Sequence, residues 1–202
     1  MASTKTTPST TNVVSTAISP SSTSFNVVNV KTHVPITLNL AVSNYTKWSQ
    51  FFTTMCGKFG LLHHIDGFAP MPADPSWVQA DYAVLSWLFG SISDDVLDVT
   101  MEPDQNTRNL WVAIEVSAYC QRLKQLANSL HDIGHPISNS QLVLNLLSGL
   151  ALRFSHQADI LAGKDPFPSF VSARTSLLLA KMQATHASSI ATAPHSWHLL
   201  QH

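Results

Sequence analysis

The stretch Leu40-Ala-Val-Ser-Asn-Tyr-Thr-Lys-Trp-Ser-Gln-Phe-Phe52 decides how this chain of 202 residues is interpreted. Large apolar side chains in and just after it recur at alternating steps of three and four residues: Tyr45, Trp48, Phe52, Met55 and Phe59. That spacing predicts an amphipathic helix whose apolar face packs inward. Ser43 or Asn44 can cap its start, and Gly57 or Gly60 can end it.

Signals for helix starts recur after this segment. Asp74 can act as an N-cap with Pro75 as the first helical residue, and Ser93 precedes a short helix whose first turn holds two aspartates. Ser138 and Gln141 form a capping box. A last helix is predicted to begin near Ser169, after two prolines.

One helix is predicted from about Gln105 to His131, where Gly134 and Pro136 stop it. The next apolar face is expected to end around Gly149 and to be followed by a weaker helical segment. The sequence therefore predicts an all-α fold of about six to seven helices.

Composition divides the chain into three parts. Residues 1–33 are rich in Ser and Thr and are predicted to be a disordered arm. Residues 34–186 are predicted to form one helical domain, which residues 34–40 enter as an extended segment. Residues 187–202 are predicted to be a flexible tail.

The chain carries unusually little charge. Charged residues make up 11% of it, and its net charge is -1, whereas average soluble domains hold about a quarter charged residues. Scattered Lys and Arg argue against an extended groove for nucleic acid. A surface so poor in charge favours a protein that associates with itself. The two cysteines, Cys56 and Cys120, fit buried thiols of an intracellular protein better than a disulfide.

The residues do not indicate catalysis. No Asp-Ser/Thr-Gly tripeptide, phosphate-binding glycine loop or nucleophile elbow occurs in the sequence. His63 and His64 are interpreted as residues of a solvated turn. Gly134 interrupts the pair His131 and His135, which no acidic pair accompanies as in a zinc-hydrolase helix. We therefore predict no catalytic residues, no metal site, no cofactor and no enzyme activity, although a small hydrolase hidden among the Ser and His residues stays an alternative.

Several segments together resemble the Gag-like polyprotein of plant copia-type LTR retrotransposons. Besides the opening stretch they are Gly60-Leu-Leu-His-His-Ile-Asp-Gly67, Val84-Leu-Ser-Trp-Leu-Phe-Gly-Ser-Ile-Ser-Asp-Asp-Val96, Met101-Glu-Pro-Asp104, Leu110-Trp-Val-Ala-Ile-Glu115, Ala118-Tyr-Cys-Gln-Arg-Leu-Lys-Gln-Leu-Ala127, Val143-Leu-Asn-Leu-Leu-Ser-Gly-Leu150 and Ala173-Arg-Thr-Ser-Leu-Leu-Leu179. The order and spacing of these segments carry the resemblance. It covers most of the chain after the N-terminal arm.

The resemblance implies a capsid-like, non-enzymatic structural protein that forms homo-oligomers and packages RNA. It also implies a family-signature core: Tyr45, Trp48, Phe52, Trp87, Trp111, Tyr119 and Leu147. The zinc knuckle that binds RNA in such proteins needs three closely spaced cysteines and a histidine, so this module is absent from the sequence.

The sequence departs from the family pattern near residues 115–118. Similar proteins place a further helix-forming block there, whereas here Glu115 runs through Val116 and Ser117 straight into Ala118. The resemblance thus implies a deletion or a gene-model error, and a chain truncated before the zinc knuckle. Each large apolar side chain left uncovered forfeits about 1.5 to 3 kcal/mol of burial, against a total stability of about 5 to 15 kcal/mol. We therefore expect a degenerate copy of reduced stability.

Two other functions remain open: a host-recruited module that binds protein or RNA, and a relic without selected function. Since no apolar run is long enough to cross a bilayer, we expect no membrane association. The expected location is the cytoplasm, with the nucleus as the alternative.

Overall fold

The computed structural model describes residues 28–66 and 74–191, and it confirms the all-α prediction. The described residues form eight helices and no strand, with one isolated parallel bridge between Leu38 and Ile92. The helices are α1 (Val30–His33), α2 (Tyr45–Lys58), α3 (His63–Asp66), α4 (Pro75–Ser91), α5 (Asp94–Thr100), α6 (Thr107–Asp132), α7 (Asn139–Ala162) and α8 (Phe170–Ala191).

The predicted arm of residues 1–33 is too long at its C-terminal end. Val30–His33 is helical, and the side chain of Asn29 accepts a hydrogen bond from the backbone N–H of Lys31 at 3.0 Å. Val28 and Val30 pack against the hydrophobic core, which orders these residues. The rest of the predicted arm, residues 1–27, lies outside the described residues.

Residues 34–40 lead from α1 into the core. Val34 and Leu38 are fully buried. Leu38 donates its backbone N–H to the carbonyl of Ser91 at 2.9 Å, and its own carbonyl accepts from the N–H of Ser93 at 3.0 Å. The segment is thereby fixed to the junction between α4 and α5.

The predicted helix starts at Asp74 and Ser138 are confirmed. The Asp74 carboxylate accepts from the backbone N–H of Ser76 at 3.1 Å, with Pro75 at the first helical position. The Ser138 hydroxyl accepts from the backbone N–H of Gln141 at 3.2 Å. Asn44 precedes α2, but its side chain does not cap that helix. It bonds the backbone of residues 37 and 39 instead.

The long helix α6 is continuous, as predicted for residues 105–131. It starts two residues later than expected because Asn106 caps it, accepting from the backbone N–H of Asn109 at 2.8 Å. Gly134 follows its end with a φ of +82°, a conformation that glycine adopts without strain. The residues of the 115–118 junction lie inside this helix, where Val116, Ser117 and Ala118 are buried.

The predicted end of α7 around Gly149 is wrong, since the helix continues to Ala162. A helical glycine costs about 1 kcal/mol relative to alanine but does not by itself end a helix. Gly149 is needed for another reason. A side chain there would overlap the ring and hydroxyl of Tyr119 on α6.

Helix α8 starts at the predicted place, where the backbone carbonyl of Ser169 accepts from the N–H of Ala173 at 2.9 Å. It extends past residue 186, so residues 187–191 belong to a helix and not to the predicted tail. No glycine or proline lies between Pro168 and Pro194, which removes the usual stop signals. Residues 192–202 lie outside the described residues.

Helix α6 lies at the centre of the fold and contacts α3, α4, α5, α7 and α8. Buried apolar side chains from these helices and from α2 form one hydrophobic cluster. The central position of α6 means that both halves of the chain pack on it. Within residues 28–66 and 74–191, no helix has the length and apolar character needed to cross a membrane.

Candidate functional site

The predicted signature residues of α2 meet α6 in an aromatic cluster. Trp48 stacks on Phe52 and on Trp111, with ring centroids 5.4 Å apart in both pairs, and Phe52 lies 5.6 Å from Trp111. These three side chains are buried. Tyr45 is half-buried at the edge of the cluster, 6.1 Å from Trp48. Stacked aromatic pairs at such distances stabilise a core beyond their area of burial.

The other three signature residues lie elsewhere in the core. Trp87 of α4 is buried, and its ring centroid is 5.5 Å from that of Phe59. Tyr119 is half-buried between α6 and α7 and donates its hydroxyl to the carbonyl of Asn145 at 3.2 Å. Leu147 of α7 is buried. The seven predicted signature residues therefore lie at contacts between helices. They do not line one common cavity.

A buried polar site that the sequence did not indicate joins α3, α4 and α6. His64 is 1% exposed, and its Nδ1 lies 2.9 Å from Oδ1 of Asp81. The backbone N–H of Thr107 donates to Oδ2 of Asp81 at 3.3 Å. The Thr107 hydroxyl donates to the backbone carbonyl of Asp81 at 2.8 Å. The prediction that His64 lies in a solvated turn is wrong, because its ring packs inside the protein.

One signal in the sequence could have indicated this site. Asp81 follows Trp77 by four residues and precedes Val84 and Leu88 by three and seven, so it lies on the buried face of α4. A carboxylate on such a face needs a partner, because an unpaired buried charge is strongly unfavourable. Its partner could not be chosen from ten histidines without the fold.

The His64 ring is enclosed by aromatic neighbours. Its centroid lies 4.3 Å from that of His63 and 4.4 Å from that of Trp77. Its Nε2 atom is buried and has no hydrogen-bond partner among the described residues. Burial, followed by the neighbouring His64, lowers the pKa of His63 from its ordinary value of 6.5.

A hydrolase of the Ser-His-Asp type needs a nucleophilic hydroxyl on the second ring nitrogen of the histidine. Among the residues that the structure describes, the hydroxyl bonded at this site is that of Thr107, and it donates to the backbone carbonyl of Asp81. The arrangement therefore ties three helices together. Arg108 adds to this link by donating from its guanidinium to the carbonyl of Ile65.

Metal ligands do not converge in the described part of the chain, where no group of three or more His, Cys, Asp or Glu side chains comes together. His131 lies in the last turn of α6, and His135 follows after Gly134 has ended the helix. Asp94 and Asp95 lie in the first turn of α5, where carboxylates complement the helix dipole.

Both thiols are free and buried. Burial raises the pKa of the Cys56 thiol from 9.0 to about 12. Burial raises the pKa of Cys120 to about 11, although the nearby Arg174 and Lys124 oppose the shift. Since the thiolate is the reactive form, these cysteines are packed apolar side chains and not nucleophiles at neutral pH.

The second half of α6 carries a row of partly exposed apolar side chains. Three large apolar residues of α6 and the residue directly after the helix are spaced by three, four and three residues, and we call them the α6 stripe: Leu123, Leu126, Leu130 and Ile133. Leu123 is half-buried against the core, whereas Leu126, Leu130 and Ile133 are 45%, 36% and 69% exposed. After Cys120 no residue of α6 is buried.

No protein-family model, curated protein or solved structure matches this chain.

Proposed function

We propose that this chain is a Gag-like structural protein of the copia-type retrotransposon class, which associates with copies of itself and has no enzymatic activity. One observation carries the proposed self-association: the α6 stripe presents three large apolar side chains to solvent at the end of α6, beyond its last buried residue. Scattered apolar residues are normal on protein surfaces, but contiguous ones mark interaction sites.

The low charge of the chain supports the same function. A net charge of -1 and 11% charged residues give copies of the chain little electrostatic reason to repel one another. The family is proposed from the order and spacing of the sequence segments. The all-α architecture does not by itself favour it, because such a fold is compatible with many functions.

The proposal includes a degenerate copy that has lost part of its helical body near residues 115–118. Contact with RNA would then be weak, because the phosphate-binding term depends on clustered Lys and Arg. We place the protein in the cytoplasm, with the nucleus as the alternative.

Light scattering of the purified chain over a range of concentrations tests self-association. We expect the average mass to rise with concentration. The rise should be retained or enhanced in sodium sulfate, because such salts strengthen the burial of apolar surface. Association through charges would instead weaken as salt screens them.

A folded chain that stays monomeric at high concentration would contradict the proposal. If such a monomer captured a defined protein or RNA, the host-recruited interaction module would be the better function. Circular dichroism of the same sample verifies that the monomer is folded.

A further inference from the structure

We infer that Lys124 of α6 and Arg174 of α8 form a binding site for a single phosphate group, and we call these two residues the cation pair. The inference goes beyond the proposed self-association and does not depend on it. Lys124 lies on a different face of α6 from the α6 stripe. It shares that face with Ser117 and Cys120, which precede it by seven and four residues.

Two contacts between α6 and the start of α8 place the cation pair. Nη2 of Arg174 donates a hydrogen bond to the hydroxyl of Ser117 at 3.1 Å. One turn earlier in α8, the ring centroid of Phe170 lies 5.5 Å from Nζ of Lys124. The later residue of α6 thus meets the earlier residue of α8, so the two helices run in opposite directions here. Both cations lie at this one junction, about 6 Å apart along the helix axis.

The thiol of Cys120 indicates independently that the two cations are close to one point. Burial raises the pKa of this thiol, whereas Arg174 and then Lys124 oppose the rise. A side chain influences a pKa in this way only from nearby. Both positive charges therefore act on the same small region between α6 and α8.

No side-chain carboxylate of the chain neutralises the cation pair. All twelve Asp and Glu residues lie within the described ranges 28–66 and 74–191. None of them forms an ion pair with Lys124 or Arg174. Glu115 comes two residues before Ser117 and so lies on nearly the opposite side of α6.

Arg174 is the more demanding member of the pair. Its side chain is half-buried, and its Nε atom is buried with no hydrogen-bond partner among the described residues. Removing a charged donor from water without a partner is unfavourable, because the lost hydration is not replaced. An anion at this junction would supply both the missing charge and the missing acceptor.

The start of α8 adds further positive potential at the same place. Phe170 is the first residue of this helix, and Arg174 follows one turn later. The N-terminus of a helix carries a partial positive charge, which acidic residues in the first turn usually balance. The first turn of α8 contains no acidic residue. A bound anion would offset the helix end together with the two side chains.

The donors at the junction fit a phosphate group better than a carboxylate. A phosphate monoester carries a charge of about -1.5 to -2 at neutral pH and offers three acceptor oxygens. Two cations match that charge, and the planar guanidinium has five N–H donors, of which Ser117 takes one in the part of the chain that the structure describes. A nucleic-acid strand would need a longer row of cations than this pair provides.

Thermal unfolding in inorganic phosphate tests the site. Circular dichroism follows the full chain at pH 7.5, with sodium phosphate raised to 10 mM while sodium chloride keeps the ionic strength constant. We expect a saturable rise in Tm with a dissociation constant on the order of 1 mM, because two charge-assisted contacts support little more. At 10 mM phosphate the rise should be about 3 to 6 °C.

Three substitutions assign the rise to the cation pair. Lys124→Gln removes one charge from an exposed position, so the fold is retained and most of the rise should be lost. Arg174→Gln should do the same. Since it also loses the bond to Ser117, each variant is compared with its own Tm in chloride. Lys47→Gln is the matched control, because it removes the same charge from an exposed position on α2. It should keep the full rise.

Each outcome decides the inference. If phosphate does not raise the Tm of the original chain, or raises it equally in Lys124→Gln, the site is wrong. If a short oligouridylate binds through Lys124 while inorganic phosphate has no effect, the pair is a nucleic-acid contact and the inference is overturned. A chain that responds to phosphate as expected and stays monomeric would support the site while contradicting the proposed self-association.

Discussion

The hydroxyl of Tyr119 on α6 occupies the space that a Cβ atom at Gly149 of α7 would need. From this position Tyr119 donates a hydrogen bond to the carbonyl of Asn145, one turn earlier in α7. The missing side chain of Gly149 therefore allows the aromatic ring to lie against the backbone of α7. This contact joins α6 to α7 just before Cys120, the last buried residue of α6.

We expect Gly149→Ala to destabilise the protein by about 1 to 2 kcal/mol, because overpacking costs more than the gain in helix propensity. The measurement is urea unfolding followed by circular dichroism. Gly57→Ala is the matched control. A Cβ at Gly57 would meet Leu62 at an ordinary 3.6 Å, so this change in α2 should stabilise by about 0.5 to 1 kcal/mol.

The same substitution in a Tyr119→Leu background isolates the contact. Without the ring and hydroxyl, Gly149→Ala should become neutral or stabilising. An equal loss in both backgrounds would show that the cost of Gly149→Ala does not come from Tyr119.

Gly149 also shows which helix boundaries the sequence can predict and which it cannot. Helix starts were predictable because caps act locally: Asp74 and Ser138 bond backbone groups within three residues. A glycine inside a helical pattern is ambiguous, since it can end a helix or admit a neighbour. Only the position of Tyr119, which lies thirty residues away in sequence, resolves that ambiguity.

The buried polar site was missed for a related reason. The pattern around Asp81 indicates burial, but the partner of a buried acid is set by tertiary contacts. His64 reaches it from a short helix with no apolar period of its own. The aromatic positions of α2 were predictable because their period is long and regular, whereas the α6 stripe has the same kind of period and is exposed. Period alone does not tell a buried face of a helix from an exposed one.

We predict that Asp81→Ala destabilises the protein by about 3 to 5 kcal/mol, because it leaves His64 and the Thr107 N–H buried without their acceptor. Asp81→Asn keeps one acceptor oxygen and should cost less. Asp74→Ala removes an exposed helix cap and should cost about 1 kcal/mol, which makes it the control. Equal losses for Asp81→Ala and Asp74→Ala in thermal unfolding would mean that the buried site contributes little.

Neither cysteine should react with Ellman's reagent at pH 7.5 while the protein is folded. Burial raises the pKa of both Cys56 and Cys120, so little of the reactive thiolate forms at this pH. Burial also shields the two sulfur atoms from the reagent. In concentrated denaturant both thiols should react promptly. Rapid labelling of either thiol under native conditions would show that the core around α2 or α6 opens readily.

Alkaline pH should lower the free energy of unfolding. A thiol whose pKa is raised in the folded state stabilises the protein fully below its unfolded pKa, and this contribution is lost as pH rises through the folded pKa. For Cys56 the decline therefore extends from pH 9 to about pH 12. Denaturation midpoints at increasing pH measure it. In the Cys56→Ala variant the decline should be shallower, and identical slopes would contradict the assigned cause.

The proposed deletion leads to the last prediction. A version of this chain with the helix-forming block of similar proteins restored between Glu115 and Ala118 should melt at a higher temperature. Burial of two further large apolar side chains contributes about 3 to 6 kcal/mol, which for a domain of this size raises Tm by about 6 to 24 °C.

The structure makes this a demanding test, because Val116, Ser117 and Ala118 are already buried within a continuous α6. A restored block must therefore replace packing that the present chain has rather than fill an open gap. If the present chain melts as cooperatively and at as high a temperature as the restored one, the joined α6 is a complete core helix. A damaged fold is then excluded.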